Sequence, residues 1–347
     1  MVANNFKIVT VVRAKNVGRW LGKLFESLDG LSSEIIVLDG NSSDNTIQIC
    51  ENCNKAVKII RQGDIQFDET RDKNILYEEA KKRNPDFILT LDGDEIFAPK
   101  MQHILLDELK NNPQVNVFEF QSLFMWDKPN QYRSDGIFQT TWKKSLLRMK
   151  PQPTDLHFDG MSFPGNMHCP QIPQKSIGFD TPFQSKVIIL HYGYYDENLR
   201  QTKFNLYTKM DPTNTSFDGY KHIISDDSVF SGPHGIEFNI LPDGMYIPNI
   251  DNFDNLSETD ISYDCSQAVD ALHISGLKSY IQEIFKDKKR IIKEKDNHLE
   301  QVIKDKDDYL EQVIKDKDNG ILGLQNSLDE SSAYIKKMEQ VIKDKDD

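Results

Sequence analysis

Four short apolar runs recur within the first hundred residues, each followed by a stretch with helical periodicity. Lys7–Val12 is a β-branched run. Val17, Trp20, Leu21, Leu24 and Leu28 then repeat at helical spacing until Gly30 stops them. Glu34–Leu38 is the second run, and the polar turn Asp39-Gly-Asn-Ser-Ser-Asp44 leads from it into a helix predicted over Thr46–Cys53, with Asp44 placed to cap it. Val57–Ile60 is the third. A helix predicted over Glu69–Arg83 stops before Asn84-Pro85, and Phe87–Leu91 is the fourth run. Strands that alternate with helices pair in parallel through right-handed crossovers, so the pattern predicts an open α/β sheet. Such a sheet binds ligands beyond the carboxyl ends of its strands.

Acidic residues stand at those ends. Asp39 closes the second run, and Phe87-Ile-Leu-Thr-Leu-Asp-Gly-Asp-Glu95 closes the fourth with two carboxylates one residue apart and a third directly after. Asp92 and Asp94 are hard oxygen ligands, able to hold a divalent cation between protein and phosphate. The same Asp-X-Asp spacing recurs at Asp305/Asp307, Asp316/Asp318 and Asp344/Asp346, but inside a charged repeat with no strand before it. Context therefore singles out Asp92 and Asp94.

The net charge of −13 argues against nucleic acid as the main partner, because a phosphate backbone needs clustered Lys and Arg. Residues 286–347 hold 14 Lys/Arg and 16 Asp/Glu, so most of the acidity lies before them. A phosphate-bearing substrate held through a metal is compatible with that balance. Cys50-X-X-Cys53 has no second pair and no nearby His, so buried thiols in a reducing compartment are expected rather than zinc, and Cys169 and Cys265 are read the same way. The sequons at Asn41, Asn214 and Asn255 matter only for a secreted chain. No apolar run approaches membrane-spanning length and the first residues form no apolar leader, which gives a cytoplasmic expectation with no membrane span.

Beyond residue 97 the pattern changes. Pro99 is expected to open a helix that Asn111-Asn112-Pro113 ends. Val115–Trp126, Ser145–Met149 and Lys186–Leu190 read as strands among Pro- and Gly-rich connections, where an acceptor pocket would be built. Residues 211–275 carry little pattern and are taken as an extension of the domain 1–210. In residues 276–347, Glu-Gln-Val-Ile-Lys-Asp-Lys-Asp occurs three times, from Glu300, Glu311 and Glu339. Apolar positions step by seven through Phe285, Ile292 and Leu299, by eleven to Leu310 and Ile321, and by seven again through Leu328, Ile335 and Ile342. This mixture predicts a long α-helical coiled coil whose supercoil nearly straightens midway, and hence a homo-oligomer.

Taken in order, Ile-Val-Thr-Val-Val-Arg-Ala-Lys-Asn16, Ile-Ile-Val-Leu-Asp-Gly-Asn-Ser-Ser-Asp-Asn-Thr46 and Leu-Thr-Leu-Asp-Gly-Asp-Glu95 resemble the motifs of the GT-A glycosyltransferases of family 2. The resemblance spans about residues 6–210 and is strongest over 6–97. Gly and Asn are permuted in the middle motif relative to the family's pattern. It implies a GT-A (Rossmann-like) mostly parallel sheet flanked by helices, and an inverting, Mn²⁺- or Mg²⁺-dependent transfer from a nucleoside-diphosphate sugar, with uridine as the expected base. A glycan, glycolipid or protein would be the acceptor. On this resemblance Asp94 is a metal ligand and Asp92 contacts the metal or the ribose. Asp39 accepts a hydrogen bond from the base, and Arg13 and Asn16 line the base pocket. Arg71, on the helix before the fourth strand, is a candidate positive charge near the phosphates. His191, at the end of an apolar run, is a candidate third metal ligand.

An inverting transfer needs a carboxylate to take the acceptor's proton. Asp159, in Leu-His-Phe-Asp-Gly160, is the first candidate, with Asp135 and Asp155 as rivals. The His-Glu pair found in related transferases has only His157-Phe158 and His168-Cys169 as its nearest counterparts here. Trp126, Tyr132, Trp142, Tyr192 and Tyr194 could stack on sugars but more readily fill a core. Two other classes fit parts of the pattern: a sugar-1-phosphate nucleotidyltransferase, which should carry a Gly-rich basic loop where Arg-Ala-Lys-Asn stands, and a non-catalytic scaffold assembled through the tail.

Overall fold

The computed structural model describes residues 6–139, 141–161, 164–213, 217–225, 235–250 and Lys337. All except Lys337 fall in the first of two units, residues 1–276. The expected coiled coil and the sequons at Asn214 and Asn255 lie outside the described residues.

The first half follows the alternation expected. Strand β1 (Ile8–Ala14) leads to helix α1 (Gly18–Ser27), β2 (Glu34–Asp39) to α2 (Thr46–Asn52), and β3 (Ala56–Arg61) to α3 (Glu69–Lys81), which precedes β4 (Phe87–Asp92). β1 pairs in parallel with both β2 and β4, and β2 with β3. These strands are nearly continuous apolar runs because both faces of the sheet are covered. On one face Trp20, Leu21 and Leu24 of α1 pack on Val12, Val37 and Leu91; on the other, Leu76, Tyr77 and Ala80 of α3 pack on Val9, Val11 and Ile88. Each such side chain contributes roughly 1.5–3 kcal/mol by leaving water. α3 starts where it does because Asp68 accepts the Arg71 N–H at 2.8 Å, a cap worth about 1 kcal/mol. At α2, Asp44 receives the Thr46 N–H at 3.0 Å, while Asn45 holds the capping position itself.

Two elements follow the acidic residues of β4. Strand β5 (Glu95–Phe97) follows β4 after a two-residue turn, and α4 (Met101–Asn111) follows β5. α4 begins after Lys100, whose backbone is left-handed, so Pro99 lies before the helix and not in its first turn. Ala98 donates to the Ile188 carbonyl at 3.0 Å, which holds the chain extended there and delays the helix.

Beyond α4 come β6 (Val117–Trp126), β7 (Lys128–Arg133), β8 (Thr141–Arg148), β9 (Phe183–His191), α5 (Glu197–Met210) and β10 (Phe238–Ile240). β8 runs antiparallel between β4 and β6, and the sheet order is β10-β7-β6-β8-β4-β1-β2-β3. β9 pairs in parallel with β6 and antiparallel with β5. That last pairing sets Glu95 opposite His191 and so brings the end of β9 to the acidic turn. The sheet is therefore mixed, with a parallel core. β8 is longer than expected, and β5, β7, β10 and α5 are additions to the elements read from the sequence. No helix among the described residues is long and apolar enough to cross a membrane.

Candidate active site

Register places the acidic residues in one row. Arg13 lies beside both Leu38 and Asp92, and Ala14 lies beside Asp39, so the ends of β1, β2 and β4 share one edge. Gly93 is required there by close approach: a Cβ would sit 2.7 Å from Val17 Cγ2 and 3.3 Å from the Arg13 carbonyl. Its N–H donates to that carbonyl at 3.0 Å, which binds the turn onto β1. Strand alternation puts Val9, Val11 and Arg13 on the same face as Ile88, Thr90 and Asp92. Arg13 and Asp92 accordingly lie on the α3 side.

Around this turn every acid has a cationic neighbour. Asp94 Oδ2 receives Lys203 Nζ, from α5, at 3.1 Å, and its Oδ1 lies 3.7 Å from His191 Nε2. Glu95, fully buried, is ion-paired with Lys143 of β8 and also accepts the Asp92 N–H at 2.9 Å. Asp92 Oδ2 receives Gln171 Nε2 at 2.8 Å. Burial opposes charge on all three carboxyls, with different outcomes. Lys203 and His191 outweigh it at Asp94, whose carboxyl is held well below the ordinary range. Lys143, Lys73 and Arg13 do the same at Asp92. At Glu95 burial prevails and the pKa is raised despite Lys143.

His191 is neutral near pH 7: burial lowers its pKa to about 3 against the pull of Asp94. Its Nδ1 accepts the Gly193 N–H at 3.3 Å, and the ring stacks on Tyr194 with centroids 5.4 Å apart. Gly193 is the second close approach. A Cβ there would lie 2.1 Å from Lys203 Nζ, 2.3 Å from Asp94 Oδ2 and 2.7 Å from His191 Cε1. Three side chains from three elements thus converge on a position that only glycine leaves open.

The residues read from the sequence separate into two groups. Arg13, Asp39, Asp92, Asp94 and His191 gather at the strand ends. Asp39 is buried and accepts the Ser42 N–H, closing its turn, while Asn16 receives the Ser43 N–H at 2.8 Å and donates its own N–H to Ser42 Oγ. Asn16 therefore ties the β1 loop to the β2 loop, with its φ of 51° in the left-handed region that Asn tolerates. Arg13 pairs with Glu69 at 3.6 Å and lies over Phe67. Arg71's guanidinium binds Asp72 Oδ1 and the Gln66 carbonyl; Asp72 Oδ1 also receives Gln62, whose own N–H donates to the Asp39 carbonyl.

Asp159 lies on a separate loop, 40% exposed at its side chain, with Lys175 at 3.1 Å and His157 at 3.5 Å from Oδ1. Its backbone carbonyl accepts from Thr70 at the start of α3. Asp135 is ruled out as a base, because it is sealed in a fully buried pair with Arg133. Asp155 makes a backbone contact only, its carbonyl 2.8 Å from His157 Nδ1. Among the aromatics, Trp126, Tyr132 and Tyr192 are core residues, Tyr192 stacking on Trp20 with centroids 4.9 Å apart. Trp142 and Tyr194 are partly exposed.

Glu95 was noted in the sequence only as a third acid after Asp92 and Asp94, while Lys203, Lys143, Gln171 and Gly193 carried no signal there. Lys73 belongs with them: it is almost fully buried, donates to the Cys169 and Pro170 carbonyls at 2.6 and 2.9 Å, and so holds the loop that carries Gln171.

Among the described residues, no three His, Cys, Asp or Glu side chains group as a metal shell. The donor chemistry still suits a hard divalent cation that takes most of its ligands from phosphate and water, since such ions need only one or two protein ligands. Asp94 and His191 fit that share, because two ligands about 2.1 Å from one ion stand roughly 3–4 Å apart. Lys203 and the proton on His191 Nε2 occupy the same space and would have to shift.

Residues 8–167 match the family model described as Glycosyl transferase family 2. A search of curated proteins finds no match. Solved structures with a local likeness include glucosyl-3-phosphoglycerate synthase from Mycobacterium tuberculosis, in complexes with Mn²⁺, UDP and glucosyl-3-phosphoglycerate and with Mg²⁺ and UDP. Each is 20% identical with a TM-score of 0.27, over 35% of this chain and 44% of that one. A mycobacterial protein matches at 20% identity and a TM-score of 0.26, over 35% and 41%. The chain thus spans less than half the length of these structures.

Proposed function

Residues 8–167 are a glycosyl transferase family 2 domain, and from that premise we propose that the protein transfers a sugar, with inversion, from a uridine-diphosphate donor to a hydroxyl of a glycan, glycolipid or protein. The observation that carries this reading is the row of Asp39, Asp92 and Asp94 along one edge of β2, β1 and β4, where an α/β sheet receives its ligand. Asp39 accepts from the base N–H and Asp92 from the ribose, both held in place by neighbouring turns before the donor arrives. Asn16 and Arg13 shape the base pocket.

Asp94 and His191 would hold Mn²⁺ or Mg²⁺ together with the donor's phosphates. When bound, that ion supplies Lewis-acid stabilisation of the departing diphosphate. The acceptor oxygen attacks the anomeric carbon as the carbon–oxygen bond to the diphosphate breaks, and the acceptor's proton passes to a carboxylate. We assign Asp159 that role, since its carboxylate is 40% exposed and its backbone carbonyl accepts from Thr70.

Thermal melts with UDP, CDP, GDP and ADP, each with and without Mn²⁺, test the donor class. UDP with Mn²⁺ should raise Tm by several degrees and the purine nucleotides should not; stabilisation by none of the four ends the proposal. The repeat in residues 285–347 is proposed to assemble the chain. Deleting it should reduce the mass in light scattering to one protomer, whereas a full-length chain that is already monomeric removes the idea.

A further inference from the structure

We propose that Lys203 of α5 is the residue that grips the donor's diphosphate, leaving Asp94 for it when the nucleotide enters. The inference rests on the nucleotide-sugar reading above and goes further by naming a contact that no sequence motif carries.

The argument begins with the other cations of the site. Arg13 faces Glu69, Arg71 is bound to Asp72, and Lys143 is paired with buried Glu95. Lys73 is fixed by Glu69 and two carbonyls. None of these partners is the tip carboxylate: Glu69 and Asp72 lie on α3 and Glu95 on β5. Lys203 differs, because its partner is the tip carboxylate itself, Asp94, at 3.1 Å.

The surroundings of Lys203 fit a residue that changes partner. Its side chain is 23% exposed, and Nζ lies over the Tyr194 ring, 4.5 Å from the centroid. No residue of α5 is fully buried, but Leu199, Phe204, Tyr207 and Met210 pack half-buried against the core, so the helix holds Lys203 beside the turn and leaves any change of partner to its flexible stem. A lysine ammonium on its flexible stem is a point charge that suits phosphate without the planar geometry arginine demands. Any cation that takes Asp94 frees Lys203 at the place where the diphosphate must lie. Charge therefore moves with the ligand: carboxylate to incoming cation, ammonium to phosphate.

Calorimetry with UDP and with uridine, both in Mn²⁺, tests the contact in two backgrounds. In the otherwise native chain Lys203→Met should weaken UDP at least tenfold and leave uridine within twofold, with Lys203→Arg restoring most of the loss. The deciding comparison uses Asp94→Asn. If Lys203 touches the diphosphate, Lys203→Met still weakens UDP about tenfold in the Asp94→Asn background. If it merely neutralises Asp94, the loss disappears there, and the proposal is overturned. Equal losses for UDP and uridine also overturn it. If Lys203→Met does not fold, Lys203→Gln makes the same comparison. A native chain that binds neither UDP nor uridine defeats the donor reading itself, a result separable from UDP binding that ignores Lys203.

Discussion

Replacing Asp94 with Asn should strip UDP binding of its response to Mn²⁺, lowering affinity in the presence of the metal by about 100-fold, or ~2.7 kcal/mol. Asn keeps the size and one oxygen of the side chain but loses the charge that a hard cation needs. Metal-free binding of UDP should change far less, because Asp39, Asp92 and Asn16 are untouched. The native fold should survive. The Lys203–Asp94 pair is partly exposed, so its loss falls between a surface pair and a buried one, about 1–2 kcal/mol. Asp94 is held below the usual carboxylate range in the folded state. Its contribution to stability is therefore complete above about pH 4 and declines as the pH falls toward its native value. Asp94→Asn should flatten that acid limb. Calorimetry in Mn²⁺ and in EDTA, with melts between pH 3 and 7, reads both effects. An Asn variant that still gains affinity from Mn²⁺ would remove Asp94 from the metal.

The legibility of the sequence follows the range of the interactions. β1 to β4 and α3 could be read because buried parallel strands are continuous apolar runs and the helix begins at a local cap, Asp68. β7 could not: Lys-Pro-Asn-Gln-Tyr-Arg is polar and contains proline, and it is a strand only because β6 and β10 flank it. α5 hid because its apolar residues, Leu199, Phe204, Tyr207 and Met210, are only half-buried and stand among polar ones. At the site, Asp39, Asp92 and Asp94 were visible because each stands at a strand end in a local motif. The groups that set their charge were not. Lys203 reaches Asp94 across 109 positions, Gln171 reaches Asp92 across 79, and Lys143 reaches Glu95 across 48. Only the crossing of β8, β9 and α5 over the acidic turn creates those contacts.

Cutting Arg133 back to Met should destabilise the protein by about 3–5 kcal/mol, the largest loss expected from a residue outside the site. Arg133 and Asp135 are completely buried and joined by two parallel contacts, Nε to Oδ1 at 2.6 Å and Nη2 to Oδ2 at 2.7 Å. The guanidinium also donates to the His222 carbonyl and lies between the rings of Phe138 and Trp126, 4.3 and 5.0 Å away. Asp135 accepts the Glu237 N–H at 3.1 Å as well. One ion pair thus fastens β7 to the chain ahead of β10, at His222 and at Glu237. Met fills much of the stem's volume but leaves a carboxylate in a dry interior, and desolvating that unpaired charge is the main cost. For a domain of this size the fall in Tm should be about 10 °C. Asp135→Leu should cost a similar amount for the complementary reason. Combining the two removes both charges, so Arg133→Met with Asp135→Leu should be more stable than either single variant. Urea melts of the three proteins give the comparison directly. A single Met variant within about 1 kcal/mol of the native chain would show that the pair is hydrated in solution, and would reopen Asp135 as a carboxylate available to an acceptor.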